Sequence, residues 1–409
     1  MFDNLLAEDA VRDLLVKDIE TRQLPASILL SGPPASGKLT AALEISRILS
    51  CSRAERRAAW SCSCPSCSRH RVLAHPDLLL FGPRAFPEEI PAALELLERS
   101  PGKASAFFFV RAIRKLEKRF DAALYEGEEA RLAKAAPLVR EIEERLDSFA
   151  PAYSSEKEEG RSEKEGAAEF SAAKAAAAAA RKLEALVPDS TPIYWIRAAE
   201  VWAQLAPNGL VKTLVIEEAD RMNDGARNAL LKILEEPPRN VEFVLVSSRR
   251  SALIGTILSR VRPYDFKARN REESGLVIER IFRAPRGSGT QGSEAASVEA
   301  FLAARRAFPP EAAQGIAKRF LATAIQERAS RAEPRYPESR DPAIADLGSY
   351  FGGAEALSNA ELLASMEEAT KSFGQKDEAF ASSFPAFLEA LAGVSALALR
   401  RPNLGTDGI

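Results

Sequence analysis

The clearest chemical pattern in the chain lies near its beginning, where an apolar run leads into residues 32–38, which read GPPASGK. Four residues separate the two glycines and a lysine follows the second, which is the spacing of a phosphate-binding loop, or P-loop. Backbone N–H groups of such a loop and the start of the next helix attract a phosphate chain. We therefore predict a nucleotide cradle formed by Gly32, Pro33, Ser36, Gly37, Lys38, Leu39 and Thr40.

One position in this loop departs from the usual pattern. Leu39 stands where a Ser or Thr hydroxyl normally holds Mg²⁺. Thr40 follows one residue later, and a one-residue step on a helix turns a side chain by about 100°. The sequence thus predicts an intact phosphate cradle with a doubtful metal site, so ATP with Mg²⁺ is a doubtful cofactor.

A second set of polar residues follows two apolar runs later in the chain. Glu217 and Glu218 come directly after residues 210–216, a run that is typical of a strand in a parallel sheet. At the carboxyl end of such a strand, the first acid holds Mg²⁺ and the second orients the attacking water. Glu217 is one methylene longer than the usual Asp. Ser248, after the next predicted strand, is placed to sense the γ-phosphate or the water.

Arg260 ends a predicted short helix beside Ser259, on an exposed corner. An arginine at such a place is by default an ordinary surface residue. The functional alternative is an arginine finger, which completes the nucleotide site of a neighbouring subunit.

Four cysteines lie close together in a polar stretch, at Cys51, Cys62, Cys64 and Cys67. Four thiolates fill a tetrahedral Zn²⁺ shell, and the last two have the usual spacing of a zinc knuckle. His70 is a possible substitute ligand, and four reduced thiols without metal are the simpler alternative. Because unpaired cysteines favour apolar burial, we predict structural zinc.

Bulk properties fit a soluble protein of two or three domains. The chain has 409 residues, 46% hydrophobic and 28% charged, with a net charge of −2. We find no basic, apolar leader and no run of about 18 apolar residues, so we expect a cytoplasmic protein without membrane contact. The weak net charge predicts that any DNA contact is local or shared with other subunits.

The order of several motifs resembles the AAA+ subunits of the bacterial DNA polymerase III clamp loader, delta-prime and gamma/tau. Five segments carry the resemblance: residues 32–38, the cysteines leading into 75–77 (HPD), 217–222 (EEADRM), 228–238 (NALLKILEEPP) and 256–260 (TILSR). The resemblance covers about residues 1–83 and 190–266. We recognise no counterpart for the stretch between them, which reads as a helical excursion with a flexible link at 154–166.

The resemblance implies a P-loop ATPase fold of the α/β class, with a parallel sheet, followed by a helical lid and a helical collar domain. We expect the ATPase-like domain at 1–266, with the zinc module at about 51–67 and the helical insertion at about 84–190. The lid would then span 267–333 and the collar or oligomerisation domain 334–409.

The resemblance also implies a place in a hetero-pentameric ring that loads the sliding clamp onto primer–template DNA. Arg260 is kept, whereas Leu39 and Glu217 replace the residues that hold Mg²⁺. A subunit that lends a finger but hydrolyses ATP weakly, or not at all, is delta-prime-like. It would belong to the DNA polymerase III holoenzyme, and its own enzymatic activity is left open.

Three alternatives remain at this point. The first is a hydrolysing gamma/tau-like subunit, in which Thr40 and Glu217 restore metal binding. The second is a P-loop small-molecule kinase with a helical insertion, which leaves the cysteines and Arg260 without a purpose. The third is a zinc-ribbon DNA-binding module on a relic ATPase fold, which the net charge disfavours.

Overall fold

A computed structural model describes residues 1–53, 59–83, 88–149, 163–284 and 297–305, together with the single residues 317, 321 and 391. The chain divides into two compact units, Met1–Leu302 and Ala303–Ile409. All the strands described below belong to the first unit. The expected collar, and most of the expected lid, lie outside the described residues.

The first unit is built on five parallel strands in the order β2-β3-β4-β1-β5. Their bounds are β1 Ser27–Ser31, β2 Leu78–Phe81, β3 Lys212–Ile216, β4 Val241–Ser247 and β5 Arg262–Asp265. The first four strands are buried along their whole length, whereas β5 alternates between buried and exposed positions. The apolar runs of the sequence therefore form the sheet interior, and the predicted α/β class is confirmed.

Alternate residues of the strands enter two separate apolar cores, one on each face of the sheet. Leu29 contributes to one core, and its neighbours Ile28 and Leu30 to the other. This alternation follows from the period of two in a strand. The result is a three-layer arrangement with helices on both faces.

Twelve α-helices lie in the described residues. Their bounds are α1 Asp9–Glu20, α2 Lys38–Leu49, α3 Pro65–Arg71, α4 Glu89–Arg99, α5 Lys103–Glu117, α6 Glu129–Leu146, α7 Glu163–Glu184, α8 Ile193–Gln204, α9 Asp224–Glu235, α10 Gly255–Leu258, α11 Arg271–Phe282 and α12 Val298–Ala303. None of the helices in this described part is long and apolar enough to cross a bilayer.

The excursion between β2 and β3 packs against the sheet and does not project away from it. Its helices share one continuous core with residues of β1, β2, β3 and β4, and the buried Phe109 of α5 belongs to that core. Phe109 and its neighbour Val110 are fully buried, so the apolar segment at residues 107–110 of α5 is explained by internal packing.

One boundary expected from the sequence was wrong, at the start of α7. Helix α1 begins at Asp9, after Glu8. Helix α7 begins at Glu163, so the last residues of the expected link at 154–166 are helical, and residues 150–162 lie outside the described residues. Helix α9 is capped by Asn223, whose side chain accepts from the backbone N–H of Ala226.

Candidate functional site

The carboxyl ends of β1, β3 and β4 meet at one edge of the sheet, because these strands are parallel and adjacent. Ser31 at the end of β1 pairs with Ser247 at the end of β4, and Ile216 of β3 pairs with Leu245. The P-loop, the two glutamates and the polar tip of β4 therefore converge here. This edge is where ligands bind in open parallel sheets.

The P-loop has glycines where its backbone requires them. Gly32 has φ +150°, and a Cβ there would lie 2.5 Å from the carbonyl oxygen of Phe266. Gly37, at φ +101°, precedes the first residue of α2. Both positions need glycine, since an L side chain rarely adopts these φ values.

Lys38 lies folded over the loop that precedes it. Its Nζ donates to the carbonyl oxygen of Gly32 at 2.7 Å and also to that of Pro33, and Ser36 Oγ lies 3.4 Å away. Burial lowers the pKa of Lys38 to about 8, although the carboxylates of Glu218 and Glu217 oppose that shift. Lys38 is thus in the position from which its amino group would reach a phosphate. In this structure the hydrogen bonds of that amino group go to carbonyl oxygens of the loop.

Arg269, which sequence reasoning missed, bridges the P-loop and the amino-terminal segment. Its Nη1 donates to the carbonyl oxygen of Ala35, and its Nη2 to that of Leu6 at 3.1 Å. It lies in the segment between β5 and α11, and nothing in its sequence spacing pointed to the loop.

Glu217 forms a buried ion pair with Arg119, a second residue that the sequence did not single out. Arg119 Nη2 donates to Glu217 Oε2, and the two side chains are only 2% and 13% exposed. Arg119 follows α5, in the helical excursion. The acid expected to hold Mg²⁺ therefore already has a cationic partner from the chain itself.

The remaining acids of this edge are held by the tip of β4. Ser248 Oγ donates to Glu218 Oε1 at 3.0 Å, and Ser247 Oγ donates to Asp220 at 2.8 Å. Arg249 Nε donates to the other oxygen of Asp220 at 3.0 Å. Burial, and then the nearby Asp220 carboxylate, raises the pKa of Glu218. Glu218 and Ser248, two of the site residues predicted from the sequence, are thus hydrogen-bonded to each other.

Two residues at this edge stand where Mg²⁺ ligands are usual beside a P-loop, and both differ from the usual pattern. Leu39 is apolar and packs against the core between the sheet and α2. Glu217 is engaged by Arg119. Mg²⁺ requires oxygen ligands in near-octahedral geometry, and both positions that would normally supply them are altered.

Arg260 lies just beyond α10. Its Nη2 donates to Glu235 Oε1 at 2.6 Å, and its Nη1 to the carbonyl oxygen of Thr256 at 2.8 Å. The arginine side chain is 31% exposed. The guanidinium is therefore oriented at the surface by the end of α9.

The four cysteines converge to form a buried cluster of sulfurs. The Sγ atoms all lie within 4.8 Å of one another, and that of Cys51 lies 3.8 Å from Cys62 and 4.0 Å from Cys64. All four are free thiols. A tetrahedral Zn²⁺ with Zn–S bonds of about 2.3 Å requires sulfurs about 3.8 Å apart, so the cluster fits zinc.

His70 lies outside this cluster in the described part of the chain, so the structure does not support it as a substitute ligand. Its ring stacks on His75 with centroids 4.0 Å apart, and burial lowers the pKa of His70 to about 2. His75 accepts from the backbone N–H of Asp77, as expected for a structural histidine.

A family model described as "DNA polymerase III, delta subunit" matches residues 7–133 and 190–270, about half of the chain. The chain belongs to this family of clamp-loader subunits. The match includes residues 84–133, so the expectation that the family resemblance pauses at residue 83 was wrong. Residues 134–189 are the part of the excursion that the family model leaves out.

Individual members of the family match over shorter segments. The chain is 37% identical over 73 residues to DNA polymerase III subunit delta' of Haemophilus influenzae, covering 18% of this chain and 22% of the relative. It is 40% identical over 65 residues to subunit tau of Bacillus subtilis, covering 16% and 12%. Subunit delta' of Bacillus subtilis is 32% identical over 88 residues, covering 21% and 27%. The chain thus spans about a quarter or less of these relatives.

Proposed function

We propose that this chain is a delta-prime-like subunit of a DNA polymerase III clamp loader. It lends Arg260 to the nucleotide of a neighbouring subunit and hydrolyses ATP weakly or not at all itself. The observation that carries the proposal is the contrast between a guanidinium held at the surface and an acid, Glu217, whose charge is already matched within the chain.

Arg260 has the properties that an arginine finger requires. A finger must reach a phosphate on another subunit, so its guanidinium has to be exposed and pre-oriented. The contacts with Glu235 and the carbonyl of Thr256 fix its direction without burying it. Planar guanidinium groups also suit bidentate recognition of phosphate.

The chain's own cleft lacks the groups that stabilise a phosphoryl-transfer transition state. Mg²⁺ neutralises charge that develops on the transferred phosphoryl group. With Leu39 and an engaged Glu217, that stabilisation is missing, whereas Lys38 and the loop N–H groups remain able to hold a phosphate. Because only interactions stronger in the transition state raise kcat, nucleotide binds here without efficient turnover.

The predicted domains follow from the same assignment. Residues 1–266 form the ATPase-like domain, with a zinc module at about 51–67 and a helical insertion at about 84–190. We assign the lid to residues 267–333 and the collar, which would join a hetero-pentameric ring, to residues 334–409; most of the lid and nearly all of the collar lie outside the described residues. The partners are the other loader subunits, the sliding clamp and primer–template DNA. Zinc at the cysteines has a structural role, because four protein ligands leave no open position.

The test is a reconstituted loader in which only this subunit is altered. We expect Arg260→Ala to lower clamp- and DNA-stimulated ATP hydrolysis by at least about tenfold at the neighbouring site, with assembly unchanged on gel filtration. Arg239→Ala, an exposed arginine after α9, is the matched control and should hydrolyse normally. Unchanged hydrolysis with Arg260→Ala would show that the finger assignment is wrong.

A hydrolysing gamma/tau-like subunit is the second candidate, favoured by the match to the Bacillus subtilis tau subunit. Magnesium-dependent turnover by the isolated chain, lost in Lys38→Ala, would support it and overturn the delta-prime assignment. A small-molecule kinase instead predicts phosphoryl transfer to a soluble acceptor, and gives no purpose to the cysteines or to Arg260.

A further inference from the structure

Arg119 is a deeply buried basic residue at the edge of the sheet that carries the P-loop, here called the nucleotide edge. It follows α5 in a short 3₁₀ turn, Lys118–Phe120, and its side chain is 2% exposed. One amino group of its guanidinium donates to Glu217, and the other to the carbonyl oxygen of Lys115 at the end of α5. The guanidinium therefore spans the gap between the helical excursion and β3.

Contacts of the chain itself fix both members of this pair. Lys118 Nζ donates to the carbonyl oxygen of Leu78 at 3.1 Å, which ties the turn to β2. The N–H of Glu217 donates to the carbonyl oxygen of Phe81 at 2.8 Å. A Cβ at Gly82 would lie 2.5 Å from the Glu217 carbonyl oxygen, so glycine is needed for this close approach.

The charge balance around Glu217 leaves little attraction for a cation. The pair with Arg119 compensates the carboxylate, and Lys38 adds a second positive group that interacts with the same acids. A divalent ion at Glu217 would have to displace the guanidinium and leave it buried without a counter-charge, which is strongly unfavourable.

We propose that Arg119 takes the place of a metal ion at Glu217. Divalent cations are then excluded from Glu217, and the phosphates of a nucleotide bind in the P-loop without a metal ion at this acid. The inference rests on the proposed weak hydrolysis and gives it a cause within the helical excursion. Arg119 acts here as a positioning and specificity-determining residue.

The experiment measures Mn²⁺ binding to the isolated full chain by electron paramagnetic resonance, with zinc present at the cysteines. We expect the wild type and Glu217→Gln to titrate identically, because Glu217 does not contribute to a cation site. Arg119→Met should gain a site that binds Mn²⁺ at least about tenfold tighter than the wild type does, since a nearby positive charge is removed. That site should disappear in the double variant Arg119→Met with Glu217→Gln.

The matched control is Arg114→Met, which removes a guanidinium from α5, the helix before Arg119, where Arg114 contacts Glu143 and the carbonyl oxygen of Val72. It should bind Mn²⁺ as the wild type does. If Arg119→Met does not fold by circular dichroism, Arg119→Gln, which keeps a hydrogen-bond donor at this position, takes its place.

Two results would overturn the inference: a Mn²⁺ site in the wild type that Glu217→Gln removes, or a folded Arg119 variant that gains no site. Both are independent of Arg260. If Arg260→Ala did not lower ATP hydrolysis in the assembled loader, the proposed function would be wrong, but the Mn²⁺ result would be unaffected. The two failures can therefore be told apart.

Discussion

The cysteine cluster and the nucleotide edge both gather groups that could hold a metal ion, but they differ in what the chain supplies to balance them. At the edge, Arg119 pairs with Glu217 and Arg249 with Asp220. In the cluster, four sulfurs face one another at 3.8–4.0 Å for the measured pairs, and one guanidinium, that of Arg47, reaches Cys67 at 3.7 Å. The acids at the edge are already matched by cationic side chains of the chain, whereas the converging sulfurs of the cluster have the arrangement that fits a metal ion.

The largest expected effect concerns the cysteine cluster. Cys62→Ser should lose close to one equivalent of zinc by elemental analysis and unfold the module, because structural zinc contributes apparent binding free energies of about 10–16 kcal/mol in small zinc domains. Ser63→Ala changes an exposed neighbour and should keep the metal. Full zinc content and an unchanged melting temperature in Cys62→Ser would contradict a four-sulfur site.

The second-largest expected effect concerns the ion pair between Arg119 and Glu217 at the nucleotide edge. Arg119→Met should lower the free energy of unfolding by about 3–5 kcal/mol, because it leaves a buried carboxylate without its partner. Adding Glu217→Met should restore most of that loss, as measured by urea unfolding. Arg131→Met, at an exposed pair with Glu128, serves as the control and should change little. A loss in the double variant equal to the sum of the losses in Arg119→Met and Glu217→Met alone would mean that the two residues are not coupled.

A pH dependence should distinguish Lys38 from ordinary surface lysines. Its pKa in the folded chain is about 8, below the ordinary value of 10.5, so between these values the unfolded chain binds more protons. Stability should therefore rise with pH across that window, by about 2 kcal/mol between about pH 8 and pH 10. Urea unfolding of Lys38→Met across the same pH range should lack this rise. A parallel pH profile for both proteins would argue against a buried, desolvated amine.

The smallest effect concerns Arg260 in the isolated chain. Its pair with Glu235 is largely exposed, and such pairs contribute about 0–1 kcal/mol. Glu235→Gln should thus leave the melting temperature nearly unchanged, yet lower ATP hydrolysis in the assembled loader by releasing the guanidinium. A large loss of stability would instead mark the pair as structural.

The sequence predicted the elements that depend on local pattern. Apolar runs identified the strands, and glycine spacing identified the P-loop. Both signals are local, because hydrophobic periodicity and backbone conformation depend on residues that are close in the sequence. It missed Arg119, which lies 98 positions before Glu217, and Arg269, which reaches back to Leu6. Neither residue differs in spacing from other basic residues nearby. Pairings that depend on the packing of distant segments leave no such local signal.

Helix α5 has a mechanical consequence that joins the two regions. Upstream, Arg111 and Arg114 donate to the carbonyl oxygens of Arg71 and Val72, at the end of the cysteine module, at 2.8 and 3.1 Å. Downstream, α5 continues into the turn that carries Arg119. A shift of α5 would therefore move its contacts with the cysteine module and the ion pair between Arg119 and Glu217 together, so a substitution that disturbs one of them should also disturb the other.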